Sequence, residues 1–242
     1  MKRFNKFLLQ VGRTIMKIFA RMMLELNVHY EQAPPSGAKI FAPNHPTTTD
    51  PFLLSLVTRE SLPILVNKKI FELPIIGKLI GNAGCIPVDK ENGDGKEIIT
   101  KAAQILQQDA PIAVFPEGCL SPNANDLAHL HTGAVRIALT SGKSIVPVGI
   151  YLNKNSIKTH HFRRKYKLAE SRWILHGQYY ITIGKPMQLS GDVNDRELVR
   201  KYTNQLSHEI KRLMRVSEMR AAQQGFAWKP IIPLGTASMN DI

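Results

Sequence analysis

Short apolar runs rich in β-branched residues alternate with helical patterns along this chain, and that alternation limits the fold more than any other feature. The runs of strand character lie at 39–42, 62–66, 84–88, 112–115 and 144–149. The helical patterns lie at 51–57, 96–108, 132–141 and 196–219. Strands that alternate with helices build a largely parallel sheet with helices on its faces. We therefore predict an α/β fold with a mostly parallel twisted sheet covered by helices.

A short segment rich in proline and glycine divides the chain. Residues 33–37 include Pro34, Pro35 and Gly37, which interrupt helices and strands alike. We therefore expect an amphipathic interfacial membrane-binding helix over 1–32, an α/β domain over 33–222 and a tail over 223–242. One or two further strands are expected within 173–184.

The first 26 residues have basic and apolar side chains on opposite sides of a helix. At about 100° per residue, six bases fall within an arc of about 100°; they are Lys2, Arg3, Lys6, Arg13, Lys17 and Arg21. The apolar residues lie opposite, at Phe4, Phe7, Leu8, Val11, Ile15, Ile18, Phe19, Met22 and Leu26. Such a helix is typical of segments that lie in the headgroup layer of an anionic membrane. The alternative is a helix whose apolar face packs on the domain.

Composition narrows the class of protein and the class of partner. The 242 residues include 32 Lys and Arg against 19 Asp and Glu, a net charge of +13, with 43% hydrophobic residues. These values exclude a disordered polyelectrolyte and a membrane-embedded bundle, and they favour an anionic partner. Two cysteines are too few for a disulfide framework, so we expect a reducing compartment, by default the cytoplasm. No conventional spanning helix is predicted.

The loop after the first predicted strand of the domain holds a histidine and a carboxylate five residues apart. His45 and Asp50 follow Ala42, at the carboxyl end of a strand, where open α/β sheets bind ligands. A histidine can take a proton from a hydroxyl, and an aspartate on its far nitrogen fixes the tautomer. Two structural alternatives stay open. Asp50 before Pro51 is also a good helix N-cap, and Asn44 and His45 can be ordinary loop residues.

Three more blocks follow in order, and together the four resemble the glycerolipid acyltransferases. The second block reads GCIPVDK over 84–90, the third reads FPEGCLS over 115–121, and a Val-Pro pair lies at 146–147. The corresponding family blocks read approximately NHxxxxD, GxIFIDR, FPEGTRS and Val-Pro. Because four blocks agree in order from 39 to 149, the chain is identified as resembling the family that contains the 1-acyl-sn-glycerol-3-phosphate O-acyltransferases.

The resemblance implies roles for the matching residues. His45 would be the general base and Asp50 its orienting partner. Five residues would bind the substrate, namely Asn44, Lys90, Glu117, Gly118 and Ser121. The residues 33–222 would form the acyltransferase domain.

The resemblance also implies a reaction. The expected chemistry is direct transfer of a fatty acyl group from acyl-CoA or acyl carrier protein to a lysophospholipid hydroxyl, with no cofactor, no metal and no nucleic acid. The leading acceptor is 1-acyl-sn-glycerol 3-phosphate, which would give phosphatidic acid in phospholipid biosynthesis. We expect a peripheral or monotopic enzyme on the cytoplasmic face of an anionic membrane.

Two departures from the family blocks bear on the acceptor. Lys90 stands where the second block has arginine, and a lysine binds phosphate without the bidentate fork. Leu120 stands where the third block has arginine, which removes one arm of a phosphate clamp. The acceptor can therefore be a lysolipid with a substituted phosphate or with another head group.

Several other interpretations of the sequence stay open. Cys119 activated by His45 would give a thioester hydrolase or a ping-pong transferase. The basic run 154–167 can meet coenzyme A phosphates, an acidic carrier protein or lipid headgroups, or can be a solvated loop. The His129/His131 and His160/His161 pairs lack the further ligands of a metal site. A nucleic-acid-binding protein is supported by charge alone, and a silent membrane-surface protein is a third alternative.

Overall fold

The computed structural model of the chain describes residues 2–58, 60–74, 76–89, 95–164 and 167–223. Its helices are α1 (Lys2–Met23), α2 (Asp50–Leu54), α3 (Lys68–Phe71), α4 (Ile76–Asn82), α5 (Gly95–Gln107), α6 (Gly133–Ser141) and α7 (Arg196–Gln223). Its strands are β1 (Leu24–Tyr30), β2 (Ile40–Pro43), β3 (Leu65–Asn67), β4 (Ile86–Val88), β5 (Ile112–Ala113), β6 (Ile145–Leu152), β7 (Ile157–Arg164), β8 (Lys167–Ile174) and β9 (Gly177–Ile183). Apart from Gln223, the predicted tail lies outside the described residues.

The central sheet has five strands in the order β1-β9-β6-β2-β5. The pairs β2/β5, β2/β6 and β1/β9 are parallel, as predicted, whereas β9 is antiparallel to β6. The sheet is therefore mixed, because β9 returns from the hairpin β7/β8 without a crossover helix and must run opposite to β6. As a result, the carboxyl ends of β2, β5 and β6 share one edge with the amino ends of β9 and β1.

The predicted helix over 1–32 is too long. Its helical part ends at Met23, and residues 24–30 form β1, an edge strand paired with β9 from Leu24↔Gly177 to Tyr30↔Ile183. The period-2 alternation of Leu24, Leu26 and Val28 with polar residues explains the strand. The central sheet thus takes strands from both sides of the proline-rich segment 33–37.

Alternate residues of the strands bury two cores, one on each face of the sheet. Ile40 packs with α5, α6 and α7 on one face, whereas Phe41 packs with α1 and α2 on the other. On β6, Gly149 lies under α7, where an added Cβ would be 2.2 Å from the carbonyl carbon of Leu213. Glycine therefore lets the longest helix approach the sheet closely.

The basic run 154–167, for which a solvated loop was one alternative, is largely part of an antiparallel hairpin, β7/β8, paired from Ile157↔Ile174 to Arg164↔Lys167. Its threonine and aromatic residues favour strands despite the charges. The hairpin leaves the sheet where β6 ends, and Ile174 returns to the buried core. The strands expected within 173–184 are the end of β8 and the whole of β9.

The apolar residues of helix α1 are divided between a face that packs on the domain and a face that is exposed. Met16, Phe19 and Ala20 pack on the core, and Arg13 donates hydrogen bonds to the carbonyls of Thr58 and Glu60. An apolar stripe remains exposed and comprises Val11, Ile15, Ile18 and Met22. Part of the helix thus packs on the domain while this exposed stripe faces away from it. Among the described helices, none has the length and apolarity needed to cross a membrane.

Candidate active site

His45 and Asp50 contact each other directly in the loop between β2 and α2. Nδ1 of His45 lies 2.9 Å from Oδ2 of Asp50. The histidine side chain is 18% exposed and its ring packs against Phe115, with centroids 4.2 Å apart. Since Asp50 occupies Nδ1, Nε2 is the ring nitrogen left for a substrate, and no described residue bonds to it.

The Asp50 carboxylate is fully buried, and each of its oxygens accepts two hydrogen bonds. Oδ2 accepts from Nδ1 of His45 and from the Thr47 backbone N–H at 2.7 Å. Oδ1 accepts from the Thr47 hydroxyl at 2.5 Å and from the Tyr179 hydroxyl at 2.7 Å. The helix-cap alternative is wrong, because Thr49 is the N-cap residue and Asp50 is the first residue of α2. The buried charge is instead satisfied by donors from the loop and from β9.

The Glu117 carboxylate accepts hydrogen bonds from two backbone N–H groups and from a serine hydroxyl. Oε1 accepts from the His45 backbone N–H at 2.7 Å and from the Ser121 hydroxyl at 2.8 Å, while Oε2 accepts from the Ala128 N–H at 2.7 Å. Burial raises the pKa of Glu117 above its usual range, while these hydrogen bonds act in the opposite direction. The carboxylate therefore connects the loop after β5 to the backbone of His45.

Three residues predicted to bind the acceptor are fully buried in loop contacts. Asn44 pairs both ways with the backbone of Ile150, at 2.7 and 3.0 Å, and so extends the β2/β6 ladder by one residue. Ser121 and Glu117 contact each other and His45. In this structure none of these side chains reaches the surface, so their contact with an acceptor stays a prediction.

The two other residues predicted to bind the acceptor substrate are Gly118 and Lys90. Gly118 has φ +65 and donates its N–H to the carbonyl of Phe115, which makes the turn after β5. Only glycine adopts that conformation without steric cost. Lys90 lies outside the described residues.

Arg172 on β8 was not predicted from the sequence, yet it joins both site loops. Its guanidinium donates to the carbonyls of Ser121 and Pro122, at 2.8 and 3.2 Å, and makes a weaker contact with Pro46. Glu170 pairs with the same guanidinium. Nothing local marks this arginine, because its partners lie about 50 and 126 residues away in the sequence.

Tyr179 on β9 was also missed. It is fully buried, and its ring stands beside α2 rather than merely filling the core, since its hydroxyl bonds to Asp50. Burial raises the pKa of Tyr179 well above its usual range, and the charge of Asp50 raises it further. The sequence signal was only that of a tyrosine in a buried strand.

The alternative chemistries gain no geometric support in the part of the chain that the structure describes. The exposed Cys119 thiol contacts the carbonyl of Glu117 at 3.5 Å, and no hydrogen bond joins it to His45. Within the described ranges, no three His, Cys, Asp or Glu side chains are grouped to hold a metal ion.

The edge of the open sheet thus carries a partly exposed histidine backed by a buried aspartate, an arrangement whose chemistry allows it to take a proton from a hydroxyl. The model of the acyltransferase family matches residues 25–151. That match covers half of the chain and includes all four blocks, so the chain belongs to the acyltransferase family.

Individual relatives agree with this assignment. The chain is similar to a 1-acyl-sn-glycerol-3-phosphate acyltransferase of Helicobacter pylori, with 28% identity over 124 residues, 51% of each protein. It is also similar to a lyso-ornithine lipid O-acyltransferase of Pseudomonas aeruginosa, with 26% identity over 141 residues, 58% of this chain and 53% of that protein. The matches thus span about half the length of these curated relatives.

A solved structure supports the fold. The crystal structure of the 1-acyl-sn-glycerophosphate acyltransferase PlsC from Thermotoga maritima superposes with a TM-score of 0.60. The match covers 90% of this chain and 81% of that one at 20% identity. The predicted α/β architecture is therefore confirmed.

Proposed function

We propose that this protein is an O-acyltransferase that moves a fatty acyl group from a thioester donor to the hydroxyl of a lysolipid. The observation that carries the proposal is the His45–Asp50 pair, 2.9 Å apart, at the sheet edge where three strands end. Membership of the acyltransferase family supports the reaction class. The donor would be acyl-CoA or acyl carrier protein.

The geometry supports a direct mechanism. Asp50 holds the Nδ1–H of His45, so Nε2 accepts the proton of the acceptor hydroxyl as the oxygen attacks the thioester carbonyl. The carbon–sulfur bond then breaks, and the imidazolium returns the proton to the departing thiolate. The products are an ester and a free thiol. No covalent acyl-enzyme is required in this mechanism, and no hydrogen bond joins the Cys119 thiol to His45.

The proposed acceptor is a lysolipid. The observations support two classes of head group, one with a free phosphate monoester and one without it. The lysophosphatidic acid relatives support 1-acyl-sn-glycerol 3-phosphate, which would give phosphatidic acid. The lyso-ornithine lipid relative and the apolar Leu120 support a lysolipid without a free phosphate monoester. We propose 1-acyl-sn-glycerol 3-phosphate as the leading acceptor and the second class as the alternative.

The proposed membrane contact is made by the exposed apolar stripe of α1. Val11, Ile15, Ile18 and Met22 follow a helical spacing on a side that does not touch the core. The α1/β1 junction also lies at the sheet edge that carries His45, because Leu24 pairs with the first residue of β9. A bilayer touching this end of α1 would thus lie near the site, as suits a lipid acceptor.

The test of the proposed function is acyl transfer from labelled acyl-CoA and acyl carrier protein to a panel of lysolipids. His45→Ala should lower the rate by about 10² to 10⁴-fold, because the step assigned to it is general-base catalysis. His208→Ala, at an exposed histidine of α7, serves as the matched control and should retain wild-type activity.

Cys119→Ala addresses the covalent alternative in the same assay. It should keep most activity, and no labelled acyl adduct should be trapped on the protein. A folded His45→Ala protein with normal turnover, or a stable acyl adduct on Cys119, would contradict the proposed mechanism.

A further inference from the structure

The hydrogen bonds on Asp50 come from two different parts of the molecule. Thr47 supplies a backbone N–H and a hydroxyl, but it lies three residues away in the same loop and moves with Asp50. His45 is also part of that loop. Among the described residues, Tyr179 is the one donor to Asp50 that comes from outside the loop. The tyrosine hydroxyl therefore connects the pair to the sheet.

The position of the Tyr179 side chain is fixed by the strands on both sides of β9 and by its burial. On β9 its backbone lies in register with Leu26 of β1 and with Leu152 of β6, so it sits between two strands. Its side chain is fully buried in the core that also contains Leu53 and Leu54 of α2. A ring packed on all sides keeps one rotamer, so its hydroxyl position is set by the sheet.

We propose that Tyr179 is a positioning residue for the His45–Asp50 pair, with its hydroxyl fixing the Asp50 carboxylate so that Oδ2 meets Nδ1 of His45. This inference rests on the proposed function, in which that pair is the base of acyl transfer. Tyr179 does not touch the reacting atoms. Its effect reaches them through Asp50 and then through the imidazole, so its loss alters the chemical step rather than substrate binding.

The hydroxyl also sets how strongly Asp50 attracts a charged imidazole. A hydrogen-bond donor on Oδ1 draws negative charge toward that oxygen. Without this donor, more of the negative charge of Asp50 lies on Oδ2, which faces His45. The protonated imidazole is then favoured, and a protonated histidine cannot act as the base. Other charged groups near the pair are Glu117, on the His45 backbone, and Arg172, on the Pro46 carbonyl. Replacing Tyr179 changes the contacts of neither one.

The hydroxyl remains a donor over the range in which such an enzyme works. Its burial and the neighbouring Asp50 charge both raise the pKa of Tyr179. The phenol therefore stays protonated while Asp50 stays the acceptor, and the direction of the hydrogen bond is fixed.

Tyr179→Phe tests the proposal because it removes one oxygen atom and keeps the ring. We expect kcat to fall about 5- to 50-fold with KM values for both substrates within about twofold. The acid limb of the kcat/KM profile should move to higher pH by about half a pH unit. Tyr180→Phe is the matched control, since Tyr180 is the next buried residue of β9 and faces Arg220 of α7. Tyr180→Phe should leave kcat, the KM values and the acid limb of the kcat/KM profile unchanged.

A second measurement is independent of activity. NMR titration of the imidazole of His45, assigned with His45→Ala, should show a higher midpoint in Tyr179→Phe than in the wild type. Absence of acyl transfer with every lysolipid would overturn the proposed function, while this titration would still test the role of Tyr179. Wild-type kcat and an unchanged His45 titration in folded Tyr179→Phe would overturn the inference.

Replacing Tyr179 by 3-fluorotyrosine keeps the test decisive if the phenylalanine variant does not fold. The fluorinated phenol is a stronger donor of nearly the same size, so the His45 titration should move to lower pH, opposite to the phenylalanine effect. A titration that does not move with this replacement would also overturn the inference.

Discussion

Two buried acids at the same edge of the sheet have different environments. Asp50 accepts a hydrogen bond from an imidazole that reaches the surface. Glu117 accepts from two backbone N–H groups and one serine hydroxyl and reaches no exposed side chain. Substitution of Asp50 should therefore affect chemistry directly, whereas substitution of Glu117 should first loosen the loops around His45.

Leu120 provides a prediction about the acceptor. It is half-buried beside Ser121, whose carbonyl already binds the guanidinium of Arg172. Leu120→Arg would add a second cation there and favour a phosphate monoester, which offers bidentate geometry. We expect the ratio of activity on 1-acyl-sn-glycerol 3-phosphate to activity on head-group-bearing lysolipids to rise several-fold, even if the overall rate falls.

The measurement compares both acceptors side by side in the wild type and in Leu120→Arg. Leu120→Met, which keeps an apolar side chain of similar size, is the matched control and should leave the ratio unchanged. An unchanged ratio in folded, active Leu120→Arg would mean that residue 120 does not face the acceptor phosphate.

From residue spacing, without the family resemblance, the site could be predicted only where its contacts are local. His45 and Asp50 lie within five residues, so their spacing suggested a pair, the resemblance to the acyltransferases implied its roles, and the structure brings the two side chains into contact. Arg172 and Tyr179 reach the site from β8 and β9, and no pattern near either residue reports that contact. The direction of a side chain was also beyond sequence reasoning. Glu117 was placed at the correct loop, but its carboxylate turns inward because a buried charge needs donors.

At the scale of elements, Gly149 shows how closely α7 approaches β6. An added Cβ would lie 2.2 Å from the carbonyl carbon of Leu213, which is backbone and cannot move alone. Gly149→Ala should therefore lower the free energy of unfolding by about 2 kcal/mol or more, because the whole helix must shift. Urea unfolding measures this difference.

Gly81→Ala is the control for that substitution. Gly81 lies in α4, and no atom lies within 4 Å of an added Cβ. Alanine favours helices over glycine, so this change should be neutral or stabilise by up to about 1 kcal/mol. Equal stability of both variants would mean that α7 tolerates displacement from the sheet.

Helices and strands with a strong hydrophobic period were predicted from the sequence, whereas the edge strand β1 was not. The helices α5, α6 and α7 and the strands β2 and β6 begin and end near their predicted positions, since apolar spacing marks them. The predicted N-terminal helix includes the residues of β1, because the basic and apolar pattern continues to Leu26 and the proline-rich segment 33–37 follows it. The partner that makes 24–30 a strand is β9, far along the chain.

At the scale of the whole molecule, the exposed stripe of α1 predicts how the protein meets a bilayer. Ile15→Glu combined with Ile18→Glu should weaken binding to anionic phospholipid vesicles by about two orders of magnitude. Each buried isoleucine contributes about 1.5 to 3 kcal/mol, and the added carboxylates are repelled. The packed residues Met16 and Phe19 are untouched, so the fold should persist. Vesicle co-sedimentation measures the loss.

The matched control is Met219→Glu, at an exposed apolar residue of α7. It adds one carboxylate to a different surface and should leave vesicle binding close to that of the wild type. Equal binding by the α1 double variant and the wild type would show that another surface contacts the membrane.

The position of β9 between β1 and β6 has a consequence for how the protein is made. β1 has no other neighbour in the sheet, so Leu24–Tyr30 cannot pair until Gly177–Ile183, much later in the chain, have been made. Asp50 likewise waits for the hydroxyl of Tyr179. During synthesis the exposed stripe of α1 is therefore accessible before the central sheet is complete. The proposed membrane contact can therefore form before the His45–Asp50 pair has its full set of hydrogen bonds.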